Sequence, residues 1–389
     1  MTSPTATAPA TPVASPDAAP LLARRYDALD VFRGLTIAGM ILVNTPGSWA
    51  HVYAPLRHAA WHGATPTDLI FPFFLFIVGV AMWFSFSKFE HRPSPAVLKK
   101  IARRVVLIFA VGLLILNAHP YVRDYGTLRI MGVLQRIALA YGLASLLCLY
   151  LRPKALLATS AGLLLGYWAL LWAGGGPDPY ALETNLARQI DLFIFGADHL
   201  YQGFGVPFDP EGLLATIPAA VTVVLGYLAG RTLRATAPLE KALLHLFLAG
   251  TALLLAGVVW NPLFPINKPL WTSSYVLYTG GIAMIGLAWA VWLIDVKGWR
   301  RWAEPFRWMG LNPLFLYVLS GLWVLALIRW VRLPAGDGTT MNGYAWLYQK
   351  VFAPLAGPLN GSLLFALAHV AVFMLLGWLL YRRRLFIKL

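Results

Sequence analysis

Residues 66–87 read PTDLIFPFFLFIVGVAMWFSFS, with no charged side chain between Asp68 and Lys88. A helix needs about 20 predominantly apolar residues to cross the hydrocarbon core of a bilayer. The stretch meets that requirement over its whole length. It therefore predicts a transmembrane helix whose first turn carries a carboxylate.

Apolar runs of this kind recur along the whole chain. The 389 residues are 59% hydrophobic and 12% charged, with a mean hydropathy of +0.66, which is more apolar than a soluble domain tolerates. The sequence predicts an all-α fold, a polytopic integral membrane helix bundle of about ten transmembrane helices in a lipid bilayer. The predicted spans are 30–47, 66–87, 101–118, 130–151, 155–174, 212–232, 242–260, 274–294, 309–330 and 362–382.

The basic residues indicate how the bundle is oriented. The net charge is +15, but Lys and Arg cluster at the ends of apolar runs instead of forming a basic domain surface, so no nucleic-acid partner is expected. Most of them flank the side of the bundle that both termini share. The positive-inside rule then places both termini in the cytoplasm and the 48–65 loop outside.

The chain divides into a tail and one membrane domain. Residues 1–22 are rich in Ala, Pro, Thr and Ser and predict a disordered cytoplasmic tail. Residues 23–389 form the membrane domain, with extracytoplasmic loops at 174–211, which is acidic, and at 333–361. Cys148 is the single cysteine, so neither an internal disulfide nor a thiolate metal cluster is expected.

His58 is the most informative residue of the outward loop. Trp61 lies close by in the sequence, and Asp68 follows ten residues later. A carboxylate bonded to one imidazole nitrogen fixes the tautomer and leaves the other nitrogen basic, which suits proton abstraction or nucleophilic attack. His58 and His62 also have the i, i+4 spacing of a metal pair, but the loop between Pro55 and Gly63 offers no acidic or thiolate ligand, and no metal site is predicted.

Two sets of polar residues interrupt the apolar runs. Asp30, Arg33 and Asn44 share one face of the first helix, either as an ion pair that fixes the helix or as the lining of a polar path. Arg129 and Arg136 share a face of the fourth run and suit a phosphate or carboxylate. Arg129 has a simpler alternative role, because a long side chain at a helix end can reach the interface.

Further polar groups lie at helix ends: His199, Asp209, Glu211, Lys268, and Asn312 inside the ninth apolar run. Asp209 and Glu211 also have a structural explanation as helix N-terminal residues. Aromatic neighbours such as Tyr201 and Trp271 suit a sugar, and equally an interfacial aromatic belt.

Nine short motifs, in order, resemble the heparan-α-glucosaminide N-acetyltransferase family of transmembrane acyltransferases. They are DVFRGL (30–35), VN (43–44), HAAW (58–61), TDLIFP (67–72), RIMGVLQR (129–136), DHLYQ (198–202), FDPEG (208–212), NKPLW (267–271) and GLNP (310–313). Each motif alone is weak evidence, but their common order makes the resemblance specific.

The resemblance implies transfer of an acetyl group from acetyl-CoA to the amine of a terminal glucosamine across the membrane, without a metal. His58 matches the family's active-site histidine, as acetyl carrier or general base, with Asp68 and Asn44 beside it. Carried over from the resemblance, the cofactor-binding candidates are Arg33, Arg129, Gln135 and Arg136. The substrate-binding candidates are Trp61, His199, Asp209, Glu211, Lys268 and Asn312. A homodimer is also implied.

The sequence differs from the lysosomal animal members, since it shows no counterpart of their extended lumenal domain and additional leading helix. It resembles the shorter bacterial members, so we expect the bacterial inner membrane and an amino sugar or another glycan amine in the periplasm as acceptor. An amino-sugar permease is the main alternative, because a bundle with a buried polar stripe also suits transport. A structural membrane protein would leave His58, Arg33 and Arg136 without a role.

Overall fold

The computed structural model describes residues 26–117, 125–336 and 338–387, and the expected tail at 1–22 lies outside these ranges. Thirteen α-helices and one small hairpin make up the described chain. The helices are α1 Asp27–Asn44, α2 Pro66–Phe86, α3 Pro95–Ala110, α4 Val133–Tyr150, α5 Pro153–Gly174, α6 Leu186–Phe195, α7 Thr216–Ala235, α8 Leu239–Trp260, α9 Ser273–Val291, α10 Glu304–Leu311, α11 Pro313–Arg329, α12 Gly343–Trp346 and α13 Ala353–Arg382.

The strands β1 Arg332–Pro334 and β2 Thr340–Asn342 pair antiparallel, with Leu333 opposite Met341. Three helices pass into π-helical turns, at Val111–Asn117, Trp292–Val296 and Leu347–Phe352. In the described chain the strands form only this hairpin, and several helices are long and apolar enough to cross a membrane. The expectation of an all-α polytopic membrane protein is confirmed.

Seven helices in the described ranges are long and apolar enough to cross a membrane, or eight if the bent pair α10 and α11 is one span. They are Pro66–Phe89, Val133–Tyr150, Pro153–Gly174, Thr216–Ala235, Leu239–Trp260, Ser273–Val296 and Gly343–Arg382. Ten spans were expected. The helices expected at 30–47 and 101–118 are present as α1 and α3, but α1 carries Asp27, Asp30 and Arg33, and α3 is strongly basic.

The run expected as one span over 309–330 is instead broken at Asn312, where α10 and α11 meet at 78°. Pro313 begins α11 and has no N–H to continue the hydrogen bonding of α10. The Asn312 amide donates to the Leu385 carbonyl at 3.0 Å and accepts from the Ile387 N–H at 2.7 Å. The break is therefore held by the C-terminal segment.

Close helix contact positions α2, which carries Asp68 at its start. A Cβ on Gly79 of α2 would lie 1.9 Å from the Val223 carbonyl oxygen, and a Cβ on Gly226 of α7 would lie 1.8 Å from the Phe76 carbonyl oxygen. Glycines at both points let the two backbones approach closely, as is usual between membrane helices. The helix that holds Asp68 is thus fixed against α7.

Candidate active site

Asp68 and His58 form the centre of the site. Asp68 closes a capping box at the start of α2: its Oδ2 accepts from the Thr65 N–H and the Ala59 N–H, both at 3.0 Å. Its other oxygen, Oδ1, lies 2.6 Å from Nδ1 of His58. The Asp68 side chain is 1% exposed and that of His58 is 44% exposed, so the carboxylate is fixed while the imidazole remains open to a reactant.

This contact assigns the imidazole tautomer. An ionised carboxylate only accepts hydrogen bonds, so Nδ1 carries the proton and donates to Asp68. Nε2 then keeps its lone pair, as a base or nucleophile requires. The Tyr275 hydroxyl donates to the main-chain oxygen of Asp68 at 2.5 Å, which further fixes the first turn of α2.

Lys268 adds an amine to this pair. Its Nζ lies 3.4 Å from Oδ1 of Asp68, 3.0 Å from Nδ1 of His58 and 3.5 Å from Nε2. Burial disfavours the ammonium and lowers the pKa of Lys268, although the charges of Asp68 and Glu211 oppose this shift. Three titratable groups from two distant parts of the chain therefore meet at one point.

The loop that carries Lys268 is attached to the His58 loop by one main-chain hydrogen bond and one from a side-chain amide. The Gly63 N–H donates to the Ile266 carbonyl at 2.7 Å, and the Asn267 amide donates to the Trp61 carbonyl at 3.0 Å. Asn267 also lies 3.3 Å from Nδ1 of His62. His58 and His62 thus have different partners, and in the described ranges no group of three or more His, Cys, Asp or Glu side chains converges.

The segment 174–211, which we call the cap, packs on the same loop. The Trp61 indole N–H donates to the Tyr180 carbonyl at 2.8 Å, and the Trp61 ring contacts Phe208 edge-on with centroids 5.4 Å apart. Nδ1 of His199 lies 2.7 Å from the Leu128 carbonyl oxygen, so the cap also holds the segment that leads into α4. Trp61 and His199 are both at the junction between the cap and the bundle.

Arg129 forms a buried ion cluster beside the cap. Its guanidinium donates to both Asp209 oxygens, at 2.9 and 2.8 Å, and to Glu211 at 2.6 Å. It lies over the Tyr201 ring, 4.7 Å from the centroid. Burial disfavours the guanidinium charge, but the two carboxylates more than offset this and raise the pKa of Arg129. Arg129, Asp209 and Glu211 are thus brought together, with one another as partners.

Arg136 lies deeper and is fully buried. Its Nη2 donates to the Gly212 carbonyl at 2.9 Å, and its guanidinium lies 5.3 Å from the Trp271 centroid. Nε and Nη1 have no hydrogen-bond partner among the described residues. Arg136 is therefore tied to the start of the chain segment that follows the cap, with two guanidinium nitrogens, Nε and Nη1, without a partner in the described ranges.

Asp191 of α6 is a buried acid that the sequence did not single out. Its Oδ1 accepts from the Leu213 N–H at 2.9 Å, while Oδ2 has no partner within the described part of the chain. Burial raises the pKa of Asp191 to about 7; the charge of Asp209 adds to the shift, while the Leu213 bond and the Arg136 charge oppose it. The protonation state of the Asp191 carboxyl therefore changes with pH near neutrality.

Four predicted site residues have other surroundings. Arg33 donates to Asp30 at 3.2 Å, which is the predicted ion pair, and to the Gly310 carbonyl at 3.1 Å. It lies about 16 Å before the end of α1 that leads to His58, at about 1.5 Å rise per residue. Asn312 binds the C-terminal segment, as described above. Neither residue is joined to the His58 cluster by a described contact.

Gln135 and Asn44 are the other two of these four predicted site residues. The Gln135 amide donates to the Ile130 carbonyl at 3.0 Å and so supports the turn before α4. Asn117, which the sequence did not single out, supports the same turn by donating to the carbonyls of Arg129 and Met131 at 2.8 and 3.1 Å. Asn44 is exposed at the end of α1. Its predicted role beside His58 stays a prediction.

Together these observations define a class: a multi-pass membrane protein with a His–Asp–Lys cluster at the mouth of its helix bundle. The family model described as heparan-alpha-glucosaminide N-acetyltransferase, catalytic, matches residues 25–257, and the chain belongs to this family. The resemblance inferred from the motifs is confirmed. Lys268 lies beyond the matched residues.

Two curated relatives carry the name heparan-alpha-glucosaminide N-acetyltransferase. The chain is 32% identical to the Homo sapiens protein, over 76% of this chain and 52% of that protein. It is 31% identical to the Mus musculus protein, over 76% of this chain and 53% of that protein. The chain thus spans about half the length of the curated relatives it matches.

Proposed function

We propose that this chain transfers an acetyl group from acetyl-CoA to the amine of a glucosamine-type sugar or glycan, with His58 at the reacting centre. The observation that carries the proposal is the 2.6 Å contact of Nδ1 with the buried Asp68 carboxylate, combined with an imidazole that is 44% exposed. Membership of an N-acetyltransferase family supports it independently.

Asp68 has a positioning role in this scheme. It orients the imidazole, keeps the proton on Nδ1 and stabilises positive charge that develops on the ring. Two main-chain N–H groups, of Ala59 and Thr65, donate to its other oxygen, Oδ2. Its orientation therefore costs little to maintain during the reaction.

His58 has two chemical routes open to it. As a carrier, Nε2 attacks the thioester carbonyl carbon, the C–S bond breaks, and the thiolate of CoA leaves and takes a proton. The sugar amine then attacks the acetyl carbon, and Nε2 leaves as neutral imidazole. As a base, Nε2 takes the amine proton while the amine nitrogen attacks the thioester carbonyl carbon directly; the C–N bond forms, the C–S bond breaks, and the thiolate of CoA leaves. Both routes need the same tautomer.

Trp61, the cap and Lys268 are proposed to bind the acceptor. Trp61, three residues after His58, supplies an aromatic surface packed against Phe208 of the cap. Asp209 and Glu211 are paired with Arg129, so they support the cap that would cover the acceptor, and their direct contact with it stays a prediction. Lys268 supplies N–H groups for an oxygen of the donor or the sugar. His199 acts through the segment that it holds, and Asn312 through the C-terminal segment; direct contact of either with substrate stays a prediction.

The acetyl donor is proposed to enter along the Asp30, Arg33 and Asn44 face of α1. Arg33 pairs with the Asp30 carboxylate, whereas Arg129 pairs with both Asp209 and Glu211, and Arg136 is fully buried. These surroundings favour Arg33 for the CoA phosphates. For Arg129, Gln135 and Arg136 they support a structural contribution, and their predicted contact with the cofactor stays a prediction.

The domain and its location are proposed as the sequence predicts them. Residues 23–389 form one acyltransferase domain in the bacterial inner membrane, with both termini in the cytoplasm and His58 on the periplasmic side. The basic flanks of α3 and α13 support this orientation. The homodimer stays a prediction.

A single assay tests the proposed activity. The chain, purified in detergent, is incubated with radiolabelled acetyl-CoA and glucosamine, and labelled N-acetylglucosamine is measured. The proposal predicts a product that requires both substrates and enzyme. Absence of product, together with uptake of labelled glucosamine into proteoliposomes without acetyl-CoA, would show a permease instead.

A further inference from the structure

The Lys268 amine lies directly beside the imidazole of His58, the proposed reacting group. Nζ lies 3.5 Å from Nε2 of His58, the nitrogen that has a free lone pair, and 3.0 Å from Nδ1. An acetyl carbon on Nε2, or one delivered to it, would be within reach of Nζ without movement of the main chain. Near-attack geometry of this kind accelerates intramolecular reactions strongly.

We propose that Lys268 is itself an acetyl acceptor of this site, and that the chain acetylates its own Lys268 when no sugar amine is bound. The inference rests on the proposed function, because it uses the same acetyl donor and the same imidazole. It adds a modification site. It also predicts that activity is lost when acetyl-CoA is present without a sugar amine.

The main chain around Lys268 keeps Nζ in place. The Asn267 Oδ1 accepts from the Leu270 N–H at 2.7 Å, and the Thr272 hydroxyl accepts from the Asn267 N–H at 3.0 Å. The Gly63 N–H bond to Ile266 attaches this loop to the His58 loop. The Lys268 side chain is only 18% exposed. Its amine therefore samples few positions away from the imidazole.

Protonation decides whether Nζ can attack, because only the neutral amine is a nucleophile. Burial lowers the pKa of Lys268 and so increases the neutral fraction; Asp68 and Glu211 limit the shift. Lys350 is an exposed lysine on the π-helical turn Leu347–Phe352 and lies away from the His58 loop in sequence.

The reaction balances without a further reagent. In the carrier route, neutral Nζ attacks the acetyl carbon on Nε2, the new C–N bond forms, the Nε2–C bond breaks, and the electron pair returns to Nε2. Nζ loses one proton to solvent, and the imidazole is restored with its proton on Nδ1. In the direct route, Nζ attacks the thioester carbonyl carbon, the C–N bond forms, the C–S bond breaks, the thiolate of CoA leaves, and Nε2 accepts the proton that Nζ loses.

Acetylation of Lys268 would inhibit the site. The amide is uncharged and stable, so it neither pairs with the Asp68 carboxylate nor passes the acetyl group on. A bound sugar amine competes for the same acetyl carbon and protects Lys268. Activity should therefore decline during incubation with acetyl-CoA alone and persist when glucosamine is present from the start.

The test measures modification and product in the same samples. The intact purified chain is incubated with carbon-13-labelled acetyl-CoA, with and without glucosamine. Peptide mass spectrometry follows label on Lys268 and on Lys350, the control for non-enzymatic acetylation, while labelled N-acetylglucosamine reports the proposed function. We expect Lys268 to be labelled at least about tenfold faster than Lys350 without glucosamine, and glucosamine or His58→Ala to remove the difference.

The two possible failures are distinguishable. If N-acetylglucosamine forms while Lys268 is labelled no faster than Lys350, the inference is overturned and the proposed function stands. Label on Lys268 that is unaffected by His58→Ala also overturns the inference, since the reaction would then be chemical. If glucosamine yields no product, the proposed function is overturned.

Discussion

Nδ1 of His58 lies 2.6 Å from Oδ1 of Asp68, and the carboxylate that makes this contact is also the capping group of α2. The position of the imidazole is therefore set by a helix end, because Oδ2 of Asp68 accepts from the main-chain N–H groups of Ala59 and Thr65. A helix N-terminus also favours the ionised carboxylate. The structural role of Asp68 and its proposed role in the reaction depend on the same side chain.

Asp68→Asn tests that dual role. The amide keeps one acceptor for the cap, but it can donate to Nδ1 and so favour the wrong imidazole tautomer. We expect kcat for acetyl transfer to fall by about 10²- to 10⁴-fold, measured by product formation at saturating substrates. Asp178→Asn, at an exposed cap residue, is the control. A parental rate for Asp68→Asn would contradict the positioning role.

Arg129→Ala tests the ion cluster beside the cap. The change leaves the Asp209 carboxylate, whose side chain is 0% exposed, and Glu211 without their cation. We expect the free energy of unfolding to fall by about 3–5 kcal/mol, measured by thermal unfolding in detergent. Arg332→Ala, at an exposed strand residue, should change it by no more than about 0.5 kcal/mol. Equal effects of the two variants would show that the cluster contributes no special stability.

Asp191 predicts a pH dependence of cap stability. Its pKa is raised from 3.8 to about 7, so between these values the folded chain binds more protons at this site than the unfolded chain. The free energy of unfolding should therefore decrease as pH rises through this window, by on the order of 1.4 kcal/mol per pH unit. Thermal unfolding at pH 5 and pH 8 measures the trend.

Asp191→Asn provides the control for that measurement. The amide has the shape of the protonated acid and does not titrate, so Tm of the variant should depend less on pH than Tm of the parent. If both proteins show the same dependence, Asp191 does not titrate in this range.

Gly226→Ala tests the close approach of α2 and α7. The added Cβ would lie 1.8 Å from the Phe76 carbonyl oxygen, so the two helices must separate. We expect Tm and acetyl transfer to fall together, because α2 carries Asp68. Gly162→Ala is the matched control, since nothing lies within 4 Å of its Cβ, and alanine favours the helix by about 1 kcal/mol. If Gly226→Ala leaves both Tm and acetyl transfer unchanged, α2 tolerates displacement.

Contacts between residues that are close in the sequence could be predicted from it. The Asp30–Arg33 ion pair follows from the i, i+3 spacing within one helix, and the His58–Asp68 pair joins residues ten positions apart on either side of a helix start. The membrane helices follow from long apolar runs. The break at Asn312 follows from Pro313, which was visible in the run 309–330 but was expected inside one helix.

Contacts between residues far apart in the sequence could not be predicted in the same way. Lys268 lies 210 positions from His58, and no local spacing pairs them. The contacts that join their loops, such as the bridge between Gly63 and Asn267, form in the folded chain. Asp191 lies in the acidic segment 174–211, and the composition of that segment gave no sign that helix α6 buries this side chain. Each of the ten predicted runs contains helix, but the charged helices α1 and α3 are not among the seven that are long and apolar enough to cross a membrane in the described ranges.

The initial rate of acetyl transfer to glucosamine by the parent, His58→Ala and His62→Ala is the most direct measurement of the proposed chemistry. His62 is the matched loop histidine, in contact with Asn267 instead of Asp68. We predict a loss of at least about 10²-fold for His58→Ala and a rate within about threefold of the parent for His62→Ala. A folded His58→Ala protein with the parental rate would contradict the assignment of His58 as the reacting group.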